Sequence, residues 1–221
     1  MRTKLHINYW FLYPCLLWVI ASAIILINFS SKETFQFINT AHSDGMDTLM
    51  PFISMLGEGI LFGIVLIVLI FRLPRNQRVL YFIWASSSIM FTSVISHILK
   101  NWNSTPRPMT LWGSEAWFHH LSSWPDLYQK SFPSAHTSSA FALLFIISVL
   151  LPIRYRVYGL HCFLLALMVA WSRLYLAAHV LTDVVTGSFI GVVVPLVALL
   201  VINRIGSSSK KLNNVPPDNL A

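Results

Sequence analysis

"WSRLYLAAHVLTDVVTGSFIGVVVPLVALLVI", residues 171–202, joins two unlike kinds of sequence. Across its second part, residues 181–202, a single ionisable side chain, Asp183, interrupts an apolar run of 22 residues. A helix of that length rises about 33 Å, enough to cross the ~30 Å hydrocarbon core of a bilayer. The first part gathers Arg173, His179 and Asp183 within eleven positions, at the mouth of that run. An ionisable group at the centre of a spanning helix costs about 2.5–3.5 kcal/mol on insertion scales. A chain that otherwise avoids charge therefore has a use for these three. One stretch thus predicts both a membrane-spanning helix and a polar cluster at its end.

Five further apolar runs repeat the pattern, at residues 11–29, 46–71, 79–99, 133–151 and 157–171, the last extending to 178. Of the 221 residues 56% are hydrophobic and 10% charged, against about 25% charged in an ordinary soluble domain. The mean hydropathy is +0.66. The expectation is an all-α, polytopic membrane protein with six transmembrane helices. One compact domain covers residues 1–205, and a polar tail follows at 206–221. The opening "MRTK", the apolar stretch after it and "ASA" at 21–23 imitate a cleavable signal peptide. The apolar run continues to Phe29, past the supposed cut, so it is read as a retained first helix.

Lys and Arg set the orientation. Taken in order along the ends and loops, Arg2, Lys4, Arg72, Arg75, Arg78, Arg154, Arg156, Arg204, Lys210 and Lys211 fall on one side. Lys32, Lys100, Arg107, Lys130 and Arg173 fall on the other. The positive-inside rule places the richer side, with both termini, in the cytoplasm. The net charge of +7 and pI near 9.7 then report topology and contact with anionic headgroups. Basic residues scattered over short loops do not make a nucleic-acid face, and no nucleic-acid or protein partner is expected. Cys15 and Cys162 both lie inside predicted spans and suggest neither a disulfide framework nor a metal site. The compact chain points to a bacterial setting, hence an inner (cytoplasmic) membrane with the polar cluster on the periplasmic face.

The loop between the third and fourth spans, residues 100–132, is the longest and carries Trp102, Trp112, Trp117, Trp124 and Tyr128. Indole and phenol rings favour the headgroup zone, so part of this loop is expected to lie on the membrane surface. In that topology Lys100 and Arg107 follow the outer end of span three, and Ser134 and His136 open span four. Ser172 and Arg173 lie near the outer end of span five, and His179 and Asp183 lead into span six. Three clusters distant in sequence share one face of the membrane.

Their chemistry is readable. His179 and Asp183 are four apart, so on a helix they face the same way. A carboxylate that accepts one ring N–H fixes the tautomer and leaves the other nitrogen's lone pair free, which suits a nucleophile or base. The plain alternative is a satisfied pair tying two helix ends together. Lys100, Arg107 and Arg173, with few acids to neutralise them, suit an oxyanion, phosphate above all, because Arg offers a planar fork and Lys a point charge. Ser134 at a helix start adds a hydroxyl beside free N–H groups. Glu58, in "LGEGI" inside span two, either supports this cluster from behind or packs helices at its flanking glycines. His97 is a neighbour of Lys100 or simply a polar helix end. His119 and His120 form an adjacent pair with no third ligand in view, so they are read as interfacial, and no metal or cofactor is expected.

Together the clusters form three short motifs. Lys100 is followed after six residues by Arg107 and Pro108; Pro133, Ser134, Ala135 and His136 form an unbroken run. Ser172 and Arg173 are followed by His179 after five residues and Asp183 after three more. This pattern resembles the three-part signature of the type 2 phosphatidic acid phosphatase family, which includes membrane lipid phosphatases and soluble vanadium haloperoxidases. Ala135 departs from it, since the family has Gly there. A helical first turn at that position tolerates Ala, whereas a positive φ does not.

The resemblance implies roles. His179 attacks phosphorus to form a phosphohistidine, and Asp183 orients it. His136 protonates the leaving oxygen and later deprotonates water. Lys100, Arg107, Ser134 and Arg173 hold the phosphoryl oxygens, with no metal or cofactor involved. The substrate would be a lipid phosphomonoester or diphosphate in the bilayer, undecaprenyl diphosphate or a broad range of lipids, with lipid A phosphate as the alternative. A phosphotransferase passing the same phosphohistidine to a lipid alcohol is a rival. A transporter or scaffold is disfavoured, because neither needs a nucleophile. Haloperoxidase chemistry is disfavoured by the six spans.

Overall fold

The computed structural model describes residues 5–213, with side chains through residue 204. Its regular structure is helical, and no strand occurs among the described residues. Helix α1, Tyr9–Asn28, starts at Asn8, whose side chain accepts from Trp10 N and donates to the carbonyls of Ser148 (2.9 Å) and Arg156 (3.0 Å). One buried amide thus caps the first helix and fastens it to the far end of the bundle. Helix α2, Ser31–Asn39, opens with a capping box in which Ser30 and Glu33 satisfy each other's backbone N–H groups.

Helices α3, Asp44–Leu56, and α4, Ile60–Arg72, make one apolar path bent by 45°. The break falls at "GEG". Gly59 has φ 84°, a left-handed conformation that glycine adopts without strain, so the helix stops there and restarts. Glu58 accordingly sits exposed at the bend and not within a continuous helix. Helix α5, Arg75–Trp102, begins after Pro74, which lacks the N–H a longer helix would need. A single turn, α6, Pro108–Trp112, lies in the long outer loop.

Helix α7, Ala135–Leu150, is the centre of the bundle. Nearly every one of its 16 residues is buried, against α4, α5, α8 and α9. That explains why its sequence is apolar on all sides. A 3₁₀ turn, Ile153–Tyr158, leads into α8, Gly159–Tyr175, and then α9, Leu181–Asn213. Helices α7 and α9 touch backbone to backbone. A Cβ on Gly187 would stand 2.7 Å from the Ser134 carbonyl, and one on Gly191 2.5 Å from that of Ser138. These two glycines seat the start of α7 directly on the start of α9.

Four helices are long and apolar enough to cross a membrane: Tyr9–Asn28, Arg75–Trp102, Ile153–Tyr175 and Leu181–Arg204. The bent pair α3–α4 makes a fifth. The remaining run expected to span yields α7, shorter at 16 residues and beginning at the polar cluster. The protein is an integral membrane protein. Of the polar tail expected at 206–221, residues through Asn213 continue α9, and 214–221 lie outside the described residues.

The loop at residues 100–132 packs on the bundle through its aromatic residues. Trp112, Trp117 and Phe118 pack on Phe35 of α2, Trp112 at 5.1 Å between ring centroids, and Phe35 is buried. These indoles hold the loop onto the bundle, whereas Trp102 stays 85% exposed.

Candidate active site

The third motif takes its shape from a chain reversal. Helix α8 ends at Tyr175, Ala177 adopts φ 51°, and His179 sits in the turn before α9 begins at Leu181. The backbone N–H groups of Ala178 and His179 both donate to the Arg173 carbonyl, at 3.1 and 3.2 Å. His179 and Asp183 therefore do not share a helix face, as their spacing suggested. They meet because Asp183 lies in the first turn of α9 and reaches back, its Oδ2 accepting from Val180 N at 3.1 Å. An acid at that position commonly caps its own helix start. The same Oδ2 lies 3.3 Å from His179 Nδ1. Both residues are buried, at 1% and 2% exposure.

Ser131 completes this contact, and nothing in the sequence singled it out. Its hydroxyl donates to Asp183 Oδ2 at 2.5 Å and lies 3.4 Å from His179 Nδ1. A serine two residues before a motif carries no spacing signal; only the tertiary path of the loop brings it there. Burial holds the His179 imidazole well below the usual histidine range, and Arg173 and Arg107 act the same way, against the opposing pull of Asp183. The ring is neutral at physiological pH. Ser131→Ala removes a hydrogen bond to a charged group, worth roughly 1.5–3 kcal/mol. On the phosphatase chemistry that the motifs lead one to expect, kcat should fall about tenfold or more with KM little changed, read from steady-state phosphate release.

The other motif residues converge on this pair. Ser134 is the residue before α7, fully buried, its N–H donating to the Asp183 carbonyl at 3.1 Å and its Oγ accepting from Thr137 Oγ1 at 2.9 Å. The Ser134 side chain does not cap the α7 start, so the first N–H groups of the helix lack that partner. Ala135 is the first residue of that helix and is absent from the positive-φ positions, so the departure from glycine is without strain. His136 is half-buried in the first turn, within the electrostatic reach of Arg173, Lys100 and Arg107. Gly57 at the end of α3 leaves it room, because a Cβ there would stand 3.0 Å from His136 Cβ.

The three cations are held in different ways. Arg107 donates through Nε to the Gln129 carbonyl (2.8 Å), through Nη1 to that of Ala178 (2.8 Å) and through Nη2 to that of Lys130 (3.3 Å). Three of the five donors of a guanidinium thus clamp the outer loop to the turn carrying His179, and two are left over. Burial lowers its pKa, and Asp183 opposes the shift. Arg173 is 3% exposed, donates through Nη1 to Ser54 Oγ of α3 and lies over the Trp124 ring, 5.4 Å from its centroid. Its buried Nε–H has no acceptor. Lys100 lies within electrostatic reach of Arg107, Arg173 and Asp183 and lines a pocket of about 190 Å³ with His97, Ser96 and Ser138. Ser172 is not part of this surface; its hydroxyl donates to Val169 O within α8. Glu58 reaches Arg173 electrostatically from the α3–α4 bend.

Chemically, the arrangement is a buried, carboxylate-oriented imidazole, with Arg173 and Arg107 within electrostatic reach both of it and of a second imidazole, His136, which Lys100 also reaches. Such a surface accepts an oxyanion and offers it a nucleophile.

Comparison with known proteins gives the family. The family model of the PAP2 superfamily matches residues 81–207, the stretch that contains all three motifs. No curated protein matches the sequence. Among solved structures, LpxE of Aquifex aeolicus is 27% identical, with a TM-score of 0.63 over 76% of this chain and 93% of that one. A transmembrane PAP2-type phosphatidylglycerolphosphate phosphatase of Bacillus subtilis is 18% identical, with a TM-score of 0.58 over 87% and 94%. That second likeness is one of fold alone.

Proposed function

The chain belongs to the PAP2 superfamily, and on that premise we propose that it hydrolyses a lipid phosphomonoester or diphosphate at the outer face of a bacterial inner membrane. The observation that carries this reading is Arg173: a guanidinium 3% exposed, with an unmet Nε–H, among Lys100, Arg107 and a neutral buried histidine. A buried cation with an unsatisfied donor is costly unless an anion completes it.

In this mechanism the phosphoryl group lies among Lys100, Arg107, Ser134, Arg173 and the α7 start. Asp183 accepts His179 Nδ1–H, leaving the Nε2 lone pair to attack phosphorus. The bond from that phosphorus to the departing oxygen breaks, the lipid oxygen of a monoester or the bridging oxygen of a diphosphate, and His136 gives its proton to that oxygen. Water then loses a proton to His136, its oxygen attacks phosphorus and the P–N bond breaks, releasing inorganic phosphate. The negative charge that develops is met by the protein's own cations and N–H dipoles, which is the work a metal does in other phosphatases. Lys100, at the outer end of α5, puts the phosphate at headgroup depth, so the rest of the substrate stays in the bilayer.

Six spans with both termini cytoplasmic complete the proposal, α7 counting as the central span and residues 1–205 as one domain. Undecaprenyl diphosphate, or a broad set of lipid phosphates, is the proposed substrate. Purified protein assayed for phosphate release from a panel of monophosphate and diphosphate lipids tests it. Release without added acceptor supports hydrolysis, whereas release that needs a lipid alcohol identifies a phosphotransferase. Orthovanadate, which mimics the five-coordinate phosphoryl group, is expected to inhibit at micromolar levels. EDTA is expected to leave the rate within about a factor of two, because no step of the mechanism runs through a metal. Strong EDTA inhibition reversed by added metal would overturn that part.

A further inference from the structure

Away from this cluster, the α2–α3 turn meets the outer loop at His42, Asp47 and His119, whose ligand-type atoms lie within 4.8 Å of one another. We propose that these three side chains bind a transition-metal dication of the zinc class. Two imidazole nitrogens and one carboxylate oxygen, with a fourth position for water, form a common zinc ligand set. Their intermediate softness suits zinc better than calcium or magnesium.

Two of the three ligands are held in place from behind. Asn39, 1% exposed, grips His119 by the backbone in both directions: its Nδ2 donates to His119 O at 2.8 Å, and its Oδ1 accepts from His119 N at 2.7 Å. The Tyr175 hydroxyl of α8 donates to Asp47 Oδ1. Such support of ligand orientation is typical of metal sites. His119 Nε2 and Asp47 Oδ1 stand 2.9 Å apart. Ligands ~2.0–2.2 Å from a tetrahedral ion are about 3.3–3.6 Å apart, so this pair needs to open by roughly half an ångström.

His42 is the moving part. Its exposed ring stacks on that of His119, 3.9 Å between centroids and 7° from parallel. Stacked rings aim their lone pairs past a common point, so His42 turns about its side-chain torsions to close the site. The bound ion would join the α2–α3 turn, the outer loop and, through Tyr175, the end of α8 two residues after Arg173. Helix α3 also carries Ser54, the hydrogen-bond partner of Arg173. The ion therefore stiffens the frame around the phosphate-holding arginine without touching substrate. The site stands independently of the lipid phosphatase reading.

The test uses the full-length protein in detergent, free of any histidine tag, stripped with EDTA and titrated with Zn²⁺ and with Co²⁺. One equivalent is expected to bind, Co²⁺ with the visible bands of a low-coordinate ion, and saturating Zn²⁺ should raise the melting temperature. His42→Ala, at an exposed position, should weaken binding at least tenfold and leave the melting temperature of the metal-free protein unchanged. His119→Ala should weaken it as much. Less than a tenth of an equivalent bound, or binding unaltered in His42→Ala, overturns the site.

Discussion

His179→Ala is expected to lower phosphate release from lipid substrates by at least about 10⁴-fold, the scale on which removal of a nucleophile–base unit acts. No nearby group replaces it: Ser131 is committed to Asp183, and His136 lies on another helix. The variant should still fold. His179 lies in a turn, and Asp183 Oδ2 retains the Ser131 hydroxyl and Val180 N–H as donors when the imidazole is gone. The control is cooperative thermal unfolding of the variant beside an assay sensitive to one part in ten thousand. Retention of a tenth or more of the normal rate in a folded variant assigns the nucleophile elsewhere and, with it, the phosphohistidine.

Substitution of His136 should depend on the leaving group. A positioned general acid contributes about 10²–10⁴-fold when the departing oxygen is a poor leaving group. A lipid alkoxide is one; p-nitrophenolate is not. His136→Ala should thus lose about two to four orders of magnitude on a lipid monophosphate and far less in the burst of p-nitrophenol that reports formation of the intermediate. The second step needs the same residue as base, so the variant should burst and then stall. Equal losses on both substrates in that first step would remove His136 from the proton transfer and leave it a role in shape or charge alone.

The metal proposal and the metal-free mechanism are separable by these measurements. On the two proposals, an ion at His42, Asp47 and His119 would shift the melting temperature, whereas the chemical step would answer to His179, His136 and vanadate. Loss of thermal stability in EDTA with turnover preserved is the joint expectation.

The sequence by itself determined that this is a helical membrane protein, and it picked out the side chains proposed here for its chemistry. Both follow from local physics: apolar runs of bilayer length state their own environment, and an ionisable group beside one is too costly to be idle. The first turn at Ala135 was legible for the same reason, since a helix start has few backbone options. The tertiary structure decided what spacing does not encode. His179 and Asp183 meet through a reversal at Ala177 and a carboxylate reaching back to its own helix start, not through a shared helix face. Ser131, Ser54 and Asn39 acquire their parts only where distant segments cross. Glu58 leaves the helix interior because Gly59 ends α3–α4 as a single rod. His119, read from its neighbours as a surface residue, turns inward to Asp47, 72 positions away in the chain. Contacts of that separation depend on how helices pack, and packing is a property of the assembled bundle that no short window of residues contains.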